Sequence, residues 1–154
     1  MNTITEILEY IIPKTLELNQ AHISSEVTRV NYSAIFCQSD AEYEELNRKA
    51  VLIGDVAEDT PTGPLYKFHK PFQTIAGPLW LLKVRKPDPT RPQCGDADFT
   101  LKDYNSFKEK YLKDVEHFKV IDRENFEMIE LKDLEFDVIS YFSNIPLIVQ
   151  FDIE

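Results

Sequence analysis

The chain of 154 residues carries 17 Lys and Arg against 27 Asp and Glu, a net charge of −10, which disfavours nucleic acid and anionic membrane surfaces as partners. Its 43% hydrophobic content, with ten Phe, seven Tyr and one Trp, describes a globular protein of a length that suits one domain. Four glycines exclude a glycine-rich phosphate loop; Cys37 and Cys94 lie in no paired motif, no apolar run approaches the roughly 18 residues that span a bilayer, and no signal segment opens the sequence, so a cytoplasmic protein with free thiols is expected.

The first element is a helix. Ile4, Ile7, Leu8, Ile11 and Ile12 share one face at helical spacing, and Thr3 or Asn2 caps its start with Glu6 completing a capping box. Pro13 is expected to end or kink it, with residues 14–18 adding a turn. The apolar face suits packing on the outside of a sheet or at a subunit interface. His22 follows in a polar stretch and reads as a surface or locally hydrogen-bonded histidine.

Residues 31–37 alternate, with Tyr32, Ala34 and Phe36 on one face, and read as a strand. Ser39 or Asp40 caps a second helix whose inner face is Tyr43 and Leu46, joined by Ala50. Residues 51–53 then read as the start of a strand, and residues 55–64 as an acidic loop. Strands are expected at 65–68 and 79–84 on either side of a polar turn. Lys83 and Arg85 share one face of the second; Leu82 and Val84 take the other. Residues 86–92 form a charged proline-rich connector.

A strand at 96–101 puts Asp96 and Asp98 on one face. Asp103 caps a helix with a stripe of Tyr104, Phe107, Lys108, Tyr111 and Leu112. Strands follow at 118–121, 126–131 and 137–142, and Glu127 and Glu130 take opposite faces of the second of these. The hydrophobic tail at 145–151 suits a sheet edge or a dimer contact.

Strand, helix, strand, strand, strand occurs twice, after residue 30 and after residue 95, and the two helices share a Tyr–apolar–Lys spacing 61 residues apart. The expectation is α+β: an N-terminal helix at about 3–18, then tandem βαβββ modules forming one cupped mixed sheet. The modules span about 30–85 and 95–142, joined by a connector at 86–94 and followed by a tail at 143–154, all within a single domain 1–154.

With that repeat and the segment 63–73, GPLYKFHKPFQ, the chain resembles the vicinal oxygen chelate (glyoxalase/bleomycin-resistance) superfamily, and within it the YecM-like branch. The resemblance runs from about Asn31 to Phe99. It implies a cupped sheet, and a metal site built from a histidine of the first strand, a glutamate of the fourth and a histidine opening the second module. The corresponding residues are Tyr32, Lys83 and Ala97. Alanine offers no donor atom, a protonated lysine repels a divalent ion, and a phenol ionises only near pH 10. The expectation is therefore no metal and no cofactor in the cup.

The candidate ligand-binding residues are Tyr32, Lys83, Arg85, Asp96 and Asp98, facing a small polar or anionic ligand. The basic patch of Lys83, Arg85 and Lys86 with Arg91 stands against the global charge and suits an anion. Its structural alternative is a solvated or internally paired network. His22, His69 and His117 are far apart in sequence, and Cys37 and Cys94 lack an adjacent histidine, so none is expected in catalysis. A metal-dependent lyase, isomerase or dioxygenase, and a non-catalytic homodimeric interaction protein, are the competing functions.

Overall fold

The computed structural model describes residues 3–153, so that Asn2 and the ends of the 1–154 span lie outside the description. Helix α1 (Ile4–His22) precedes β1 (Val27–Phe36), α2 (Asp40–Ala50), β2 (Gly54–Thr60), β3 (Gly63–Thr74) and β4 (Gly77–Arg85). Then come β5 (Gly95–Leu101), α3 (Tyr104–Tyr111), β6 (Phe118–Asp122), β7 (Glu127–Leu131), β8 (Val138–Ser143) and α4 (Leu147–Gln150). All eight strands form one sheet in the order β2-β3-β4-β1-β5-β8-β7-β6.

That order is two copies of one unit. In each, the first strand pairs in parallel with the fourth, β1 with β4 and β5 with β8. The copies meet along an antiparallel β1–β5 seam, the pairing expected of two units related by a local two-fold axis. This is the expected tandem βαβββ α+β architecture, with an N-terminal helix in front.

One face of the sheet is covered by helices. Ile7, Leu8, Ile11, Ile12 and Leu18 of α1, Leu46 and Ala50 of α2 and Phe107 of α3 join Val84, Ala97, Phe99, Ile129 and Phe142 in a single core. The apolar face of α1 is thereby consumed within the chain, against β8, β5 and β1, and is not left for a subunit interface.

Three expectations need correction. Helix α1 passes through Pro13 and runs to His22. The hydrogen bond that Pro13 cannot make would end on the carbonyl of Glu9, an exposed residue. Val51, Leu52 and Ile53 are not a strand but an exposed turn closing α2, with Leu52 75% exposed. The acidic stretch that follows is the strand, β2, at the sheet edge and largely solvent-facing.

The caps follow the sequence. Ser39 Oγ accepts from the Glu42 amide at 3.1 Å, and the Glu42 carboxylate accepts from the Gln38 amide at 2.8 Å. Ser39→Ala is expected to cost about 1 kcal/mol and lower Tm by roughly 2–4 °C. Thermal denaturation checks this, and an unchanged Tm would mean the cap contributes nothing. Among the described residues no helix is long and apolar enough to cross a membrane.

Candidate functional site: the concave face of the sheet

The face of the sheet opposite the helices is a cup. Period-two alternation sends Tyr32 and Ala34 from β1, Lys83 and Arg85 from β4, Asp96 from β5, Met128 from β7 and Tyr141 from β8 into one cavity of about 680 Å3. The rim is made by the β2–β3 turn (Thr60, Pro61, Thr62), the β6–β7 turn (Arg123, Glu124, Asn125) and α4 with its end (Leu147, Gln150, Phe151). The C-terminal segment therefore lies at the mouth of the cup and against β1, not along a sheet edge.

Asp96 sits deepest. It is 5% exposed, and its Oδ1 has no hydrogen-bond partner among the described residues. Burial, then the negative charge of Asp98, push its carboxyl up to about 7, against the pull of Arg85 and Lys83. Asp96 therefore changes charge near neutral pH.

Asp98 shares the face of Asp96 but does not line the cavity. It is fully buried, accepting from Asn31 Nδ2 at 3.2 Å and from Ser143 Oγ at 2.7 Å. Burial raises its carboxyl to about 7 despite those two donors. Its place is in the floor beneath the cup, as a charge that tunes Asp96.

The Lys83 backbone is paired within the sheet, but its ammonium has no hydrogen-bond or ion-pair partner among the described residues, although the side chain is only partly exposed. Burial lowers the pKa of its ammonium; Asp96 opposes this, while Arg85 and Arg123 add to it. Arg85 lies with its guanidinium 5.2 Å over the Phe36 ring and 3.6 Å from Asp88 Oδ2. The Tyr32 phenol is held neutral, its pKa driven up by burial and then by Asp96 and Asp98. It is a hydrogen-bond donor, not an anion.

Arg91, Arg123 and Tyr141 complete the wall. Arg91 Nη1 donates to Tyr141 Oη at 3.2 Å, and Tyr141 Oη donates to Glu130 Oε2 at 2.8 Å. Arg91 belongs to the basic patch visible in the sequence. No sequence signal marks Arg123 or Tyr141, because a turn residue and a strand aromatic carry no spacing of their own. Glu127 points to the helix face, accepting from Tyr104 Oη at 2.8 Å and Lys108 Nζ at 2.7 Å. His69 lies at the sheet edge, 3.2 Å from Asp55 Oδ1.

Metal chemistry in the cup does not fit these donors. Among the described residues no three of His, Cys, Asp or Glu converge there. Ala97 faces the helix core and contributes nothing to the cup. Lys83, Arg85, Arg91 and Arg123 instead line the cavity with positive charge. Thiol chemistry does not fit either, since burial pushes both Cys37 and Cys94 up to about 12.

No family model matches the sequence, and no curated protein matches it. Among solved structures, one described as Structural Genomics, Protein EC4020 superposes with a TM-score of 0.70 at 15% identity, over 97% of this chain and 90% of that one. A glyoxalase/bleomycin resistance protein/dioxygenase superfamily member from Vibrio splendidus 12B01 superposes with a TM-score of 0.46 at 9% identity, over 75% of this chain and 97% of that one. At 15% identity, the likeness to Protein EC4020 shows a shared fold and says nothing of shared chemistry.

Proposed function

We propose that the cup binds a small anionic ligand, a carboxylate or a group of similar size and charge, without a metal ion. The observation that carries this is the buried, unpartnered Oδ1 of Asp96 beside an unpaired Lys83 ammonium in an open cavity. Buried polar atoms are nearly always hydrogen-bonded, and leaving one unmet costs about 1–3 kcal/mol. A ligand with one acceptor for Lys83 and one donor, or a shared proton, for Asp96 satisfies both.

Charge supports the same reading. Four cationic side chains line the cavity against the carboxyls of Glu58, Asp96 and Glu124, in a chain whose net charge is −10. The low-dielectric wall of a cup strengthens what those cations do to an anion. Membership of the YecM-like branch, carried by residues 63–73, belongs to this proposal. The ligand sits where relatives of this architecture are expected to hold a metal, and Lys83 takes over as the positive charge.

The test is a titration of the isotope-labelled chain with acetate, malonate, citrate and inorganic phosphate, followed by NMR. Saturable shifts are expected at Tyr32, Lys83 and Asp96 for at least one of them. Lys83→Met should weaken that binding about tenfold or more, the loss of a charged hydrogen bond. Absence of saturable binding by all four anions, or equal binding by Lys83→Met, would overturn the proposal.

A further inference from the structure

Outside the residues that line the cup, the fold assembles a second group of polar side chains. His22 ends α1, His117 precedes β6 and Asp133 follows β7; they are 95 and 111 residues from His22 in sequence, which hid the group. One ligand atom from each lies within 4.8 Å of the other two. His22 Nε2 is 2.8 Å from Asp133 Oδ2, and the two imidazole centroids are 4.4 Å apart.

We infer that His22, His117 and Asp133 form a binding site for a first-row divalent cation, with zinc the best fit. Two imidazoles and one carboxylate are the donor set of three-ligand zinc sites, which leave a fourth position open. Zinc bonds of about 2.0–2.2 Å place neighbouring donors roughly 3.3 Å apart. The observed spread reaches this by side-chain shifts of about 1 Å, with the ion replacing the His22–Asp133 hydrogen bond.

Two of the three, His117 and Asp133, are also held from behind. Asp114 Oδ2 lies 2.8 Å from His117 Nδ1, the carboxylate–histidine pairing that fixes a ring and leaves its other nitrogen to an ion. Asp133 Oδ1 accepts from the Glu135 amide at 2.9 Å, leaving Oδ2 to His22 or to the ion. The aromatic wall is Phe118, edge-on to His22 with centroids 6.3 Å apart. A groove of about 550 Å3, lined in part by His117, Phe118 and Asp133, opens beside the cluster and gives an ion and its remaining ligands access. An ion there would tie the end of α1 to the second module.

Titration of the full chain, free of any histidine tag, with Co2+ followed by Zn2+ competition tests this. One equivalent of metal is expected. His22→Asn, His117→Asn and Asp133→Asn should each weaken binding at least about tenfold, and Asp114→Asn roughly tenfold through the ring it orients. Lys83→Met should leave it unchanged. Circular dichroism reports whether each variant folds. For any that does not, imidazole nitrogen NMR of the unmodified chain decides: Zn2+ must shift His22 and His117 and spare His69. No saturable binding would overturn the site. So would binding retained by folded His22→Asn, or lost only with Glu116→Gln, which would place the ion on the neighbouring Asp114, Glu116 and His117.

Discussion

Asp96→Asn is expected to stabilise the protein at pH 8, leave it unchanged near pH 4, and remove most of the pH dependence of anion binding. The sign follows from the direction of the shift. The folded-state carboxyl is raised to about 7, whereas unfolded it titrates near 3.9. Below about pH 4 both states are protonated and the group is neutral in its buried seat. Between about 4 and 7 the folded state holds a proton that the unfolded state has lost, so stability falls as pH rises. Above about 7 the folded state carries the buried charge and the loss is complete.

Asparagine never ionises, so it escapes that loss. The opposing effect is that Asp96 neutralises the cations around it. Burial wins because Asp96 is 5% exposed, while Lys83 and Arg85 are partly open and can relax into water. A gain of about 2 kcal/mol at pH 8, or roughly 4–8 °C in Tm, is expected. Asp98 moves in the same direction, so part of the slope persists in the variant.

The same charge governs the ligand. As pH falls from 8 to 6, Asp96 takes up a proton, repulsion of an anion disappears and affinity rises by about tenfold. The lowered ammonium of Lys83 acts with the same sign, losing its charge earlier than an exposed lysine as pH rises. Calorimetry of Asp96→Asn against malonate should show tighter binding at pH 8 and a nearly flat profile. A variant as pH-dependent as the parent would mean that Asp96 does not face the ligand.

The sequence carried the architecture through its repeat and the cup through period-two alternation. Lys83 and Arg85, and Asp96 and Asp98, share faces because their spacing is two, and no tertiary knowledge is needed for that. Whether a face opens on a cavity depends on partners far away. Asp98 is sealed by Asn31 and Ser143, which are 67 and 45 residues distant, so its spacing alone makes it look equivalent to Asp96. Strand β2 was hidden because Val56 is its only large apolar residue and both faces meet solvent at the edge. Pro13 does not end α1, because the apolar stripe on either side of it continues to Leu18 and packing outweighs one missing hydrogen bond.

Gly63→Ala is expected to be the most damaging single substitution at the cup. Gly63 opens β3 with φ at 141°, a backbone conformation that L side chains rarely adopt. A Cβ there would stand 2.1 Å from the Val84 carbonyl oxygen and 3.3 Å from the Arg85 Cα. Both neighbours are backbone, so no rotamer change relieves the clash, and β3 must separate from β4. Backbone strain of about 1–3 kcal/mol and overpacking of about 1–3 kcal/mol combine to about 4 kcal/mol, or roughly 8–16 °C in Tm. Gly77→Ala is the matched control. Gly77 also has positive φ, 104°, but an added Cβ would meet only the Arg29 Cβ, at 3.9 Å. It should lose the strain term alone, about half as much. Equal losses in the two variants would show that the close approach of β3 to β4 is not what Gly63 provides. That approach also sets the cup wall, since the Lys86 amide donates to the Thr62 carbonyl at 2.8 Å and Thr60 Oγ1 to the Gly63 carbonyl at 2.6 Å. Where Gly63→Ala remains folded, malonate affinity should fall while Gly77→Ala binds as the parent does, because only the first substitution moves Thr60–Thr62 away from Arg85.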